Sequence, residues 1–149
     1  MDMVDSKKQQ LQPSQILDIA YKNTGAPYPI EQAKTIILAE LEREGSWSVQ
    51  FGNTLFLVHT VNAPRQGFFR AFNADTAQNY LENSYKFVDA AYATGYDTIV
   101  TQFTDSSILG IFKAISKNPP REDMGYIAKR TSDGGFQVIL QLGTPRGEA

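Results

Sequence analysis

The segment that decides the fold is RAFNADTAQNY, residues 70–80. It continues an aromatic run, Gly67–Phe72, that is typical of a strand, and it leads into a long amphipathic pattern typical of a helix. A strand that feeds a helix N-terminus is a common phosphate site, because unpaired N–H groups and the helix dipole attract anions there. Phosphate loops usually carry glycines. This one carries none and places Asp75 where the anion would lie, so the site has either been lost or never existed.

The composition indicates an ordinary globular chain. It has 149 residues, 42% of them hydrophobic, with a mean hydropathy of −0.32 and a net charge of −2. We expect no nucleic-acid partner and no membrane from that charge balance. The absence of cysteine excludes disulfides, thiolate metal sites and a cysteine nucleophile. The polar N-terminus does not resemble a signal peptide, which favours a cytoplasm-like compartment.

Upstream of the decisive segment, the pattern predicts two helices and a meander. Apolar residues at helical spacing occur in 15–23 and 30–44, with a break at 25–29, and Gly45 is predicted to end the second helix. Three runs then favour antiparallel strands: SWSVQF, TLFLVHTV and FFRAF.

Downstream, a long helix is predicted over 76–94, with Asp75 as N-cap, Gln78 as its capping-box partner and Gly95 as the stop. Its apolar stripe is expected to contain Ala77, Leu81, Val88, Ala91 and Tyr92. A buried strand, YDTIVTQF, follows, and we expect it to lie parallel to the strand before the long helix. Asp105 is predicted to cap a further helix that Pro119-Pro120 terminates, and Asp-Gly at 133–134 predicts a final hairpin.

This order predicts an α+β fold with a mixed, mostly antiparallel sheet and helices on both faces. We predict an N-terminal arm over 1–12, a single domain over 13–142 and a C-terminal tail over 143–149. The arm and the tail lack the apolar residues needed to fold by themselves. The arm is therefore expected to contact another chain.

The element order resembles that of the GNAT superfamily of acyl-CoA-dependent N-acetyltransferases over roughly residues 14–142. The segment DSSILGIFKAISKNPPREDMGY, residues 105–126, takes the place of a family helix of the type "alYekxGF". Ile111-Phe112-Lys113 stands for its "lYe" part. Gly125-Tyr126 stands for its Gly-Phe, after an insertion that contains Pro119-Pro120.

The sequence also departs from what the resemblance implies. The family usually has an Arg/Gln-x-x-Gly-x-Gly/Ala loop that holds the pyrophosphate of coenzyme A, and here that place reads NADTAQN. The family's general-acid Tyr matches Phe112, which has no proton to give and is expected to lie in the core. Its strand Glu has no counterpart in Phe68–Phe72. Acetyl-CoA is therefore expected to bind no better than about 1 mM.

The remaining candidates are each interpreted as structural. His59 is the only histidine and is expected to pack in a strand, which leaves no metal site. Ser106-Ser107 read as helix-cap residues. An acid/base pair drawn from Asp105, Glu122 and Asp123 is the less favoured alternative, and Arg65 and Arg70 are expected to be solvated. No catalytic, cofactor-binding or metal-binding residue is assigned, and no cofactor is expected.

Two functions follow, from different classes. The favoured interpretation is a non-catalytic GNAT-like structural or assembly protein of a tailed-phage virion, similar in size to small proteins of short-tailed bacteriophages. It would reside in the virion or host cytoplasm and contact other virion or assembly proteins through the arm. The alternative is an acyl-CoA-dependent N-acetyltransferase with an atypical coenzyme A site. A host-modulating or toxin-neutralising binding protein is a third possibility.

Overall fold

The computed structural model describes residues 10–24, 29–61, 66–103, 106–120 and 122–142. These residues form four helices and six strands, in the predicted order. The elements are α1 (Pro13–Thr24), α2 (Ile30–Leu41), β1 (Ser46–Phe51), β2 (Thr54–Thr60), β3 (Gln66–Asn73), α3 (Ala77–Thr94), β4 (Thr98–Phe103), α4 (Ser106–Lys117), β5 (Gly125–Arg130) and β6 (Phe136–Gln141).

The six strands form one sheet in the order β1-β2-β3-β4-β6-β5. Strands β3 and β4 pair in parallel, as predicted, whereas β4 and β6 pair antiparallel, as do β5 and β6. The final hairpin is also confirmed, with Thr131–Gly135 as its connection. The α+β class with a mixed, mostly antiparallel sheet is therefore confirmed.

The chain divides into two compact units. Among the described residues, the first unit comprises 10–57 and 71–83, and the second comprises 58–70 and 84–142. The boundaries predicted for the arm, domain and tail stay a prediction, and residues 1–9 and 143–149 lie outside the described residues.

The first unit has an aliphatic core between α1, α2 and the strands. Its buried members are Ile16, Leu17, Ala20, Ile37, Leu55, Leu57 and Phe72. An ion pair joins the two helices, since Lys34 Nζ lies 2.9 Å from Asp18 Oδ1. The hydrogen bond that Lys34 donates to Asp18 raises the pKa of Lys34 above its ordinary value, although burial acts in the opposite direction. Lys34 can therefore be buried without losing its charge.

Helix α2 ends earlier than the sequence pattern predicts. Its last residue is Leu41, and Glu42 is the C-cap. Gly45 lies beyond the helix, at φ +89° in the turn before β1. The predicted apolar face is only partly buried: Ala33 and Ile37 are buried, while Ile36 is 44% exposed. Gly45 therefore shapes the turn into the first strand rather than ending the helix.

Helix α3 ends where predicted, and most of its predicted stripe faces inward: Val88 and Ala91 are buried, and Leu81 and Tyr92 are half-buried. Gly95, at φ +121°, donates its N–H to the carbonyls of Ala91 and Tyr92, which closes the helix. Ala77, expected in the apolar stripe, is exposed. The buried residues include two polar ones, Asn83 and Ser84.

The second unit has an aromatic core on one side of its strands. The Phe69 ring lies 5.1 Å from Phe87 of α3 and 6.2 Å from Phe112 of α4, centroid to centroid. Phe103 stacks on Phe112 at 5.8 Å and on Phe136 at 5.6 Å. These contacts fix which face of β3, β4 and β6 is turned toward α4.

Gly67 allows a close approach within the second unit. A Cβ placed there would lie 2.5 Å from Val58 Cγ1 and 3.0 Å from a ring carbon of Tyr96. Gly110, inside α4, has open space at the same position. We expect Gly67→Ala to lower the free energy of unfolding by about 1–3 kcal/mol through overpacking. Gly110→Ala should raise it by about 0.5–1 kcal/mol, because alanine is the better helix former.

Chemical denaturation of the two variants and the parent measures both changes in the free energy of unfolding, the decrease for Gly67→Ala and the increase for Gly110→Ala. Equal stabilities for Gly67→Ala and the parent would contradict the packing of β3 against Val58 and Tyr96.

Candidate functional site

The junction between β3 and α3 is capped by a residue other than the predicted one. Thr76 Oγ1 accepts the N–H of Asn79 at 3.2 Å, which makes Thr76 the N-cap of α3. The prediction that Asp75 caps this helix with Gln78 as its partner is wrong, since the Asp75 carboxylate points elsewhere and Gln78 is exposed. Thr76, one place along the chain, is also a favoured cap residue, although threonine ranks below aspartate at this position.

Asp75 belongs to a polar network that ties the junction to the β1–β2 turn. Its Oδ2 accepts the backbone N–H of Asn53 at 2.7 Å and the side-chain amide of Asn83 at 2.8 Å. The Asn83 amide also donates to Thr54 Oγ1 at 2.9 Å. Asn73 extends the network, because its Oδ1 accepts the N–H of Asp75 and the hydroxyl of Thr54. The Asp75 carboxylate therefore has a structural role, because one of its oxygens accepts two hydrogen bonds from the protein itself.

The N-terminus of α3 nevertheless keeps free backbone donors. No described residue accepts the N–H groups of Ala77 and Gln78, and both residues are exposed. Exposed, unpaired N–H groups at the start of an 18-residue helix favour an anion. This is the place at which the family resemblance puts the pyrophosphate of coenzyme A.

The described end of the N-terminal arm contacts its own chain. The N–H of Leu11 donates to Asn53 Oδ1 at 2.8 Å, and Gln50 Nε2 donates to the Leu11 carbonyl at 2.9 Å. Asn53 therefore bonds to both segments: its side-chain oxygen accepts from the arm, and its backbone N–H donates to the Asp75 carboxylate. The expected contact of the arm with another chain stays a prediction, because residues 1–9 lie outside the described part.

Substitutions separate the two roles at this junction. Asp75→Ala should lower the free energy of unfolding by about 1–3 kcal/mol, because it removes the side-chain acceptor of the Asn53 N–H and one of the two acceptors of the Asn83 amide. Thr76→Ala should cost about 1 kcal/mol through loss of the cap. Gln78→Ala is the matched control and should be neutral. Urea denaturation measures all three, and a destabilised Gln78→Ala with a neutral Thr76→Ala would restore the predicted capping box.

In the second unit, the parallel strands β3 and β4 separate after a short contact. Their register pairs are Gln66 with Thr98, Gly67 with Ile99 and Phe68 with Val100. Within this unit, Phe69 and Arg70 on β3 do not pair with Thr101 and Gln102 on β4. An extended ligand can pair with a strand edge that its neighbour leaves unpaired.

Phe112 lies in the core, as predicted. It is 6% exposed and stacks on Phe103. Ile115, on the same helix face, is 1% exposed. No proton donor is therefore present at the position that matches the family's tyrosine.

Truncation of Phe112 tests this assignment. Phe112→Ala should cost about 3–5 kcal/mol, since it removes a buried ring and leaves a cavity. Phe68→Ala, at a half-buried position on the opposite face of β3, is the matched control and should cost clearly less. Thermal unfolding of both variants gives the comparison, and a Phe112→Ala protein as stable as the parent would remove the ring from the core.

A small cavity lies under the C-terminal end of α4. It measures about 90 Å³ and is lined by Ile115, Ser116, Pro119, Met124, Gly125, Tyr126 and Leu140. Among the described side chains, the Tyr126 hydroxyl is the buried polar group that has no hydrogen-bond partner. Desolvation raises the pKa of Tyr126. The register pairs Tyr126 with Leu140 and Leu140 with Ile99, so Tyr126 lies away from the separating ends of β3 and β4.

The other sequence candidates that the structure describes lie on separate elements. His59 is half-buried on β2, and Glu122 and Asp123 are exposed before β5. Arg70 is exposed on β3. Asp105 and Arg65 lie outside the described residues, as do the side chains of Ser106 and Ser107. In the described part of the chain, no cluster of three or more His, Asp or Glu residues could hold a metal ion.

Solved structures decide the fold. The aminoglycoside 6'-acetyltransferase type Ii superposes with a TM-score of 0.59 at 7% identity, covering 89% of this chain and 88% of the other. The ribosomal-protein-S18-alanine N-acetyltransferase of Escherichia coli gives 0.55 at 12% identity, covering 94% and 96%. The chain has the GNAT fold. A spermidine N-acetyltransferase of Vibrio cholerae gives 0.54 at 9% identity, covering 89% and 92%.

No protein-family model and no curated sequence matches the chain. The GNAT fold, which the element order predicted, therefore rests on the likeness to solved structures. Among the described residues, no helix is long and apolar enough to cross a membrane.

These neighbours correct the functional interpretation. The prediction of a non-catalytic structural or assembly protein of a tailed-phage virion is wrong, because the similar structures are N-acetyltransferases by name. They fit the alternative interpretation, an acyl-CoA-dependent N-acetyltransferase, better.

Proposed function

We propose that this GNAT-fold protein is an acyl-CoA-dependent N-acyltransferase with an atypical coenzyme A site. The separation of β3 and β4 after Phe68 and Val100 is the observation that carries the proposal. It leaves strand-edge groups that an extended, amide-containing ligand can satisfy, and the pantetheine arm of coenzyme A is such a ligand. The coenzyme would supply the acyl group as a reactive thioester.

The N–H groups of Ala77 and Gln78 are the proposed donors to the coenzyme's phosphates. A backbone N–H does not depend on the side chain, so alanine can supply it where the family has glycine. Asp75 opposes the anion less than the sequence implies, because its Oδ2 already accepts two hydrogen bonds. The affinity should still be weak for this fold, since Cβ atoms limit the approach of the phosphate.

A proline substitution isolates one of these donors. Ala77 is the first helical residue after the Thr76 cap, a position that tolerates proline. Ala77→Pro removes the N–H and should weaken acetyl-CoA binding about tenfold or more, as expected for a hydrogen bond to a charged group. Gln78→Ala keeps its N–H and is the control.

Titration calorimetry with acetyl-CoA, run to millimolar ligand, measures both affinities, and thermal unfolding verifies that α3 is intact. The proposal is contradicted if the parent protein shows no saturable binding. Equal affinities for Ala77→Pro and the parent would remove the α3 N-terminus from the site.

The described residues offer no general base on β3 and no acid at Phe112. The protein's contribution would then be to bind and orient the thioester and the acceptor, and positioning alone can supply a large part of a rate enhancement. The acceptor amine would have to arrive already deprotonated.

The pH dependence of acyl transfer tests that consequence. The rate should rise with pH and level off above the pKa of the acceptor amine, about 7.7–8.0 for an α-amino group. A bell-shaped profile would instead indicate an acid and a base on the enzyme. Release of free thiol from acetyl-CoA at several pH values, with two acceptors of different amine pKa, gives the measurement, because the midpoint should follow the acceptor.

A further inference from the structure

One face of the second unit's sheet is turned away from α4. The Phe69 and Phe103 rings contact Phe112, so their strand neighbours Phe68, Arg70 and Gln102 project from the opposite face. On β6, Phe136 stacks on Phe103, which places Gln137 and Ile139 on that opposite face as well. This face is called the open face below.

The strand β5 follows the same alternation. The Arg130 guanidinium lies 5.4 Å from the centroid of the Phe136 ring, on the α4 side. Ile127 and Lys129 therefore project from the open face, and both are exposed. Ile127 is 58% exposed, the highest value among the large apolar side chains of the described residues.

The register arranges the open face into two rows that cross the strands. Val100 pairs with Ile139, and Ile139 pairs with Ile127, which gives an apolar row that Phe68 extends. Gln102 pairs with Gln137, and Gln137 pairs with Lys129, which gives a polar row. The two rows lie about 7 Å apart, two residues along each strand.

Arg70 stands at the β3 end of the polar row. It is two residues beyond Phe68, the last residue of β3 that pairs with β4, so it lies where the strands separate. It is exposed, and no described residue forms an ion pair with it or with Lys129. The polar row therefore has a cation on each outer strand and two neutral amides between them.

The charged side chains on the open face, Arg70 and Lys129, are both positive. The sequences of β3, β4, β5 and β6 contain no Asp or Glu. A polycation such as a polyamine would meet two positive side chains here and no carboxylate from these four strands. Like charges at short range disfavour binding, whereas Arg and Lys beside amides form charge-assisted hydrogen bonds to a carboxylate.

We propose that the open face selects an acceptor amine that carries a carboxylate and an apolar group, as in an apolar amino acid or a short acidic peptide. The carboxylate would lie on the polar row and the apolar group on the row of Val100, Ile139 and Ile127. This inference rests on the proposed acyltransfer and assigns its acceptor class, which differs from the polycationic substrates named for two of the neighbours.

Binding is measured first, without acetyl-CoA, so that the result is independent of catalysis. Methyl NMR shifts of Val100, Ile127 and Ile139 are followed at low salt with four probes: leucine, the dipeptide Leu-Glu, leucinamide and spermidine. Leucine and leucinamide differ only in the carboxylate. We expect leucine or Leu-Glu to shift these methyls at concentrations about tenfold lower than leucinamide, and spermidine to shift none of them.

Charge-reversal variants supply the matched comparison. Arg70→Glu and Lys129→Glu should each weaken binding of the carboxylate probe about tenfold, while Lys113→Glu, on exposed α4, should not change it. If leucine binds and Leu-Glu does not, the acceptor is a free amino acid; the reverse identifies a peptide. Equal binding of leucinamide, preferred binding of spermidine, or no probe binding at all overturns the inference.

Turnover with the same probes then connects the surface to the reaction. In acetyl-CoA assays, Lys129→Glu should raise the KM for the carboxylate-bearing acceptor and leave the affinity for acetyl-CoA unchanged, because β6 separates β5 from β4 in the sheet. If the parent protein does not bind acetyl-CoA, the proposed function is overturned. If it does, and a polyamine is the best acceptor, only this inference is overturned.

Discussion

The short parallel contact between β3 and β4 is the constraint from which the rest of the structure follows. Parallel neighbours cannot be joined by a tight turn, so a crossover is required, and α3 supplies it. A crossover helix must begin just after its first strand ends, which places the Asn73–Thr76 junction beyond β3. Because the contact lasts for three pairs only, each strand continues with one edge unpaired on this side.

Much of the fold could be predicted because its signals are local. Gly95 ends α3, Asp-Gly marks the last hairpin, and the crossover was expected from element order alone. The role of Asp75 could not be predicted in the same way. Its partner Asn53 lies 22 residues away in sequence, and Thr76 competes for the cap one residue along. Side-chain chemistry does not distinguish a carboxylate that caps its own helix from one that binds a distant turn.

The start of α3 could be recognised from the sequence as a possible anion site, but whether its donors are free could not be predicted. Sequence patterns report side chains, whereas the donors at Ala77 and Gln78 belong to the backbone. Their availability depends on which other acceptors are present, and no residue type encodes this. The two rows on the open face were hidden as well, because β6 lies between β4 and β5 although it follows both in sequence. Gln102, Gln137 and Lys129 become neighbours only once that strand order is known.

The strand order also makes β5 an outer strand of the sheet. Outer strands present unpaired backbone groups on which a second molecule can add a strand, and the exposed Ile127 makes this one attractive for self-association. Lys129 and Arg130 place two positive charges near the end of the same short strand. Two such edges repel each other when they approach in parallel alignment, because their positive charges then lie side by side. The positive charge of Lys129, which we proposed to act on an acceptor, therefore also disfavours parallel edge-to-edge association at high concentration.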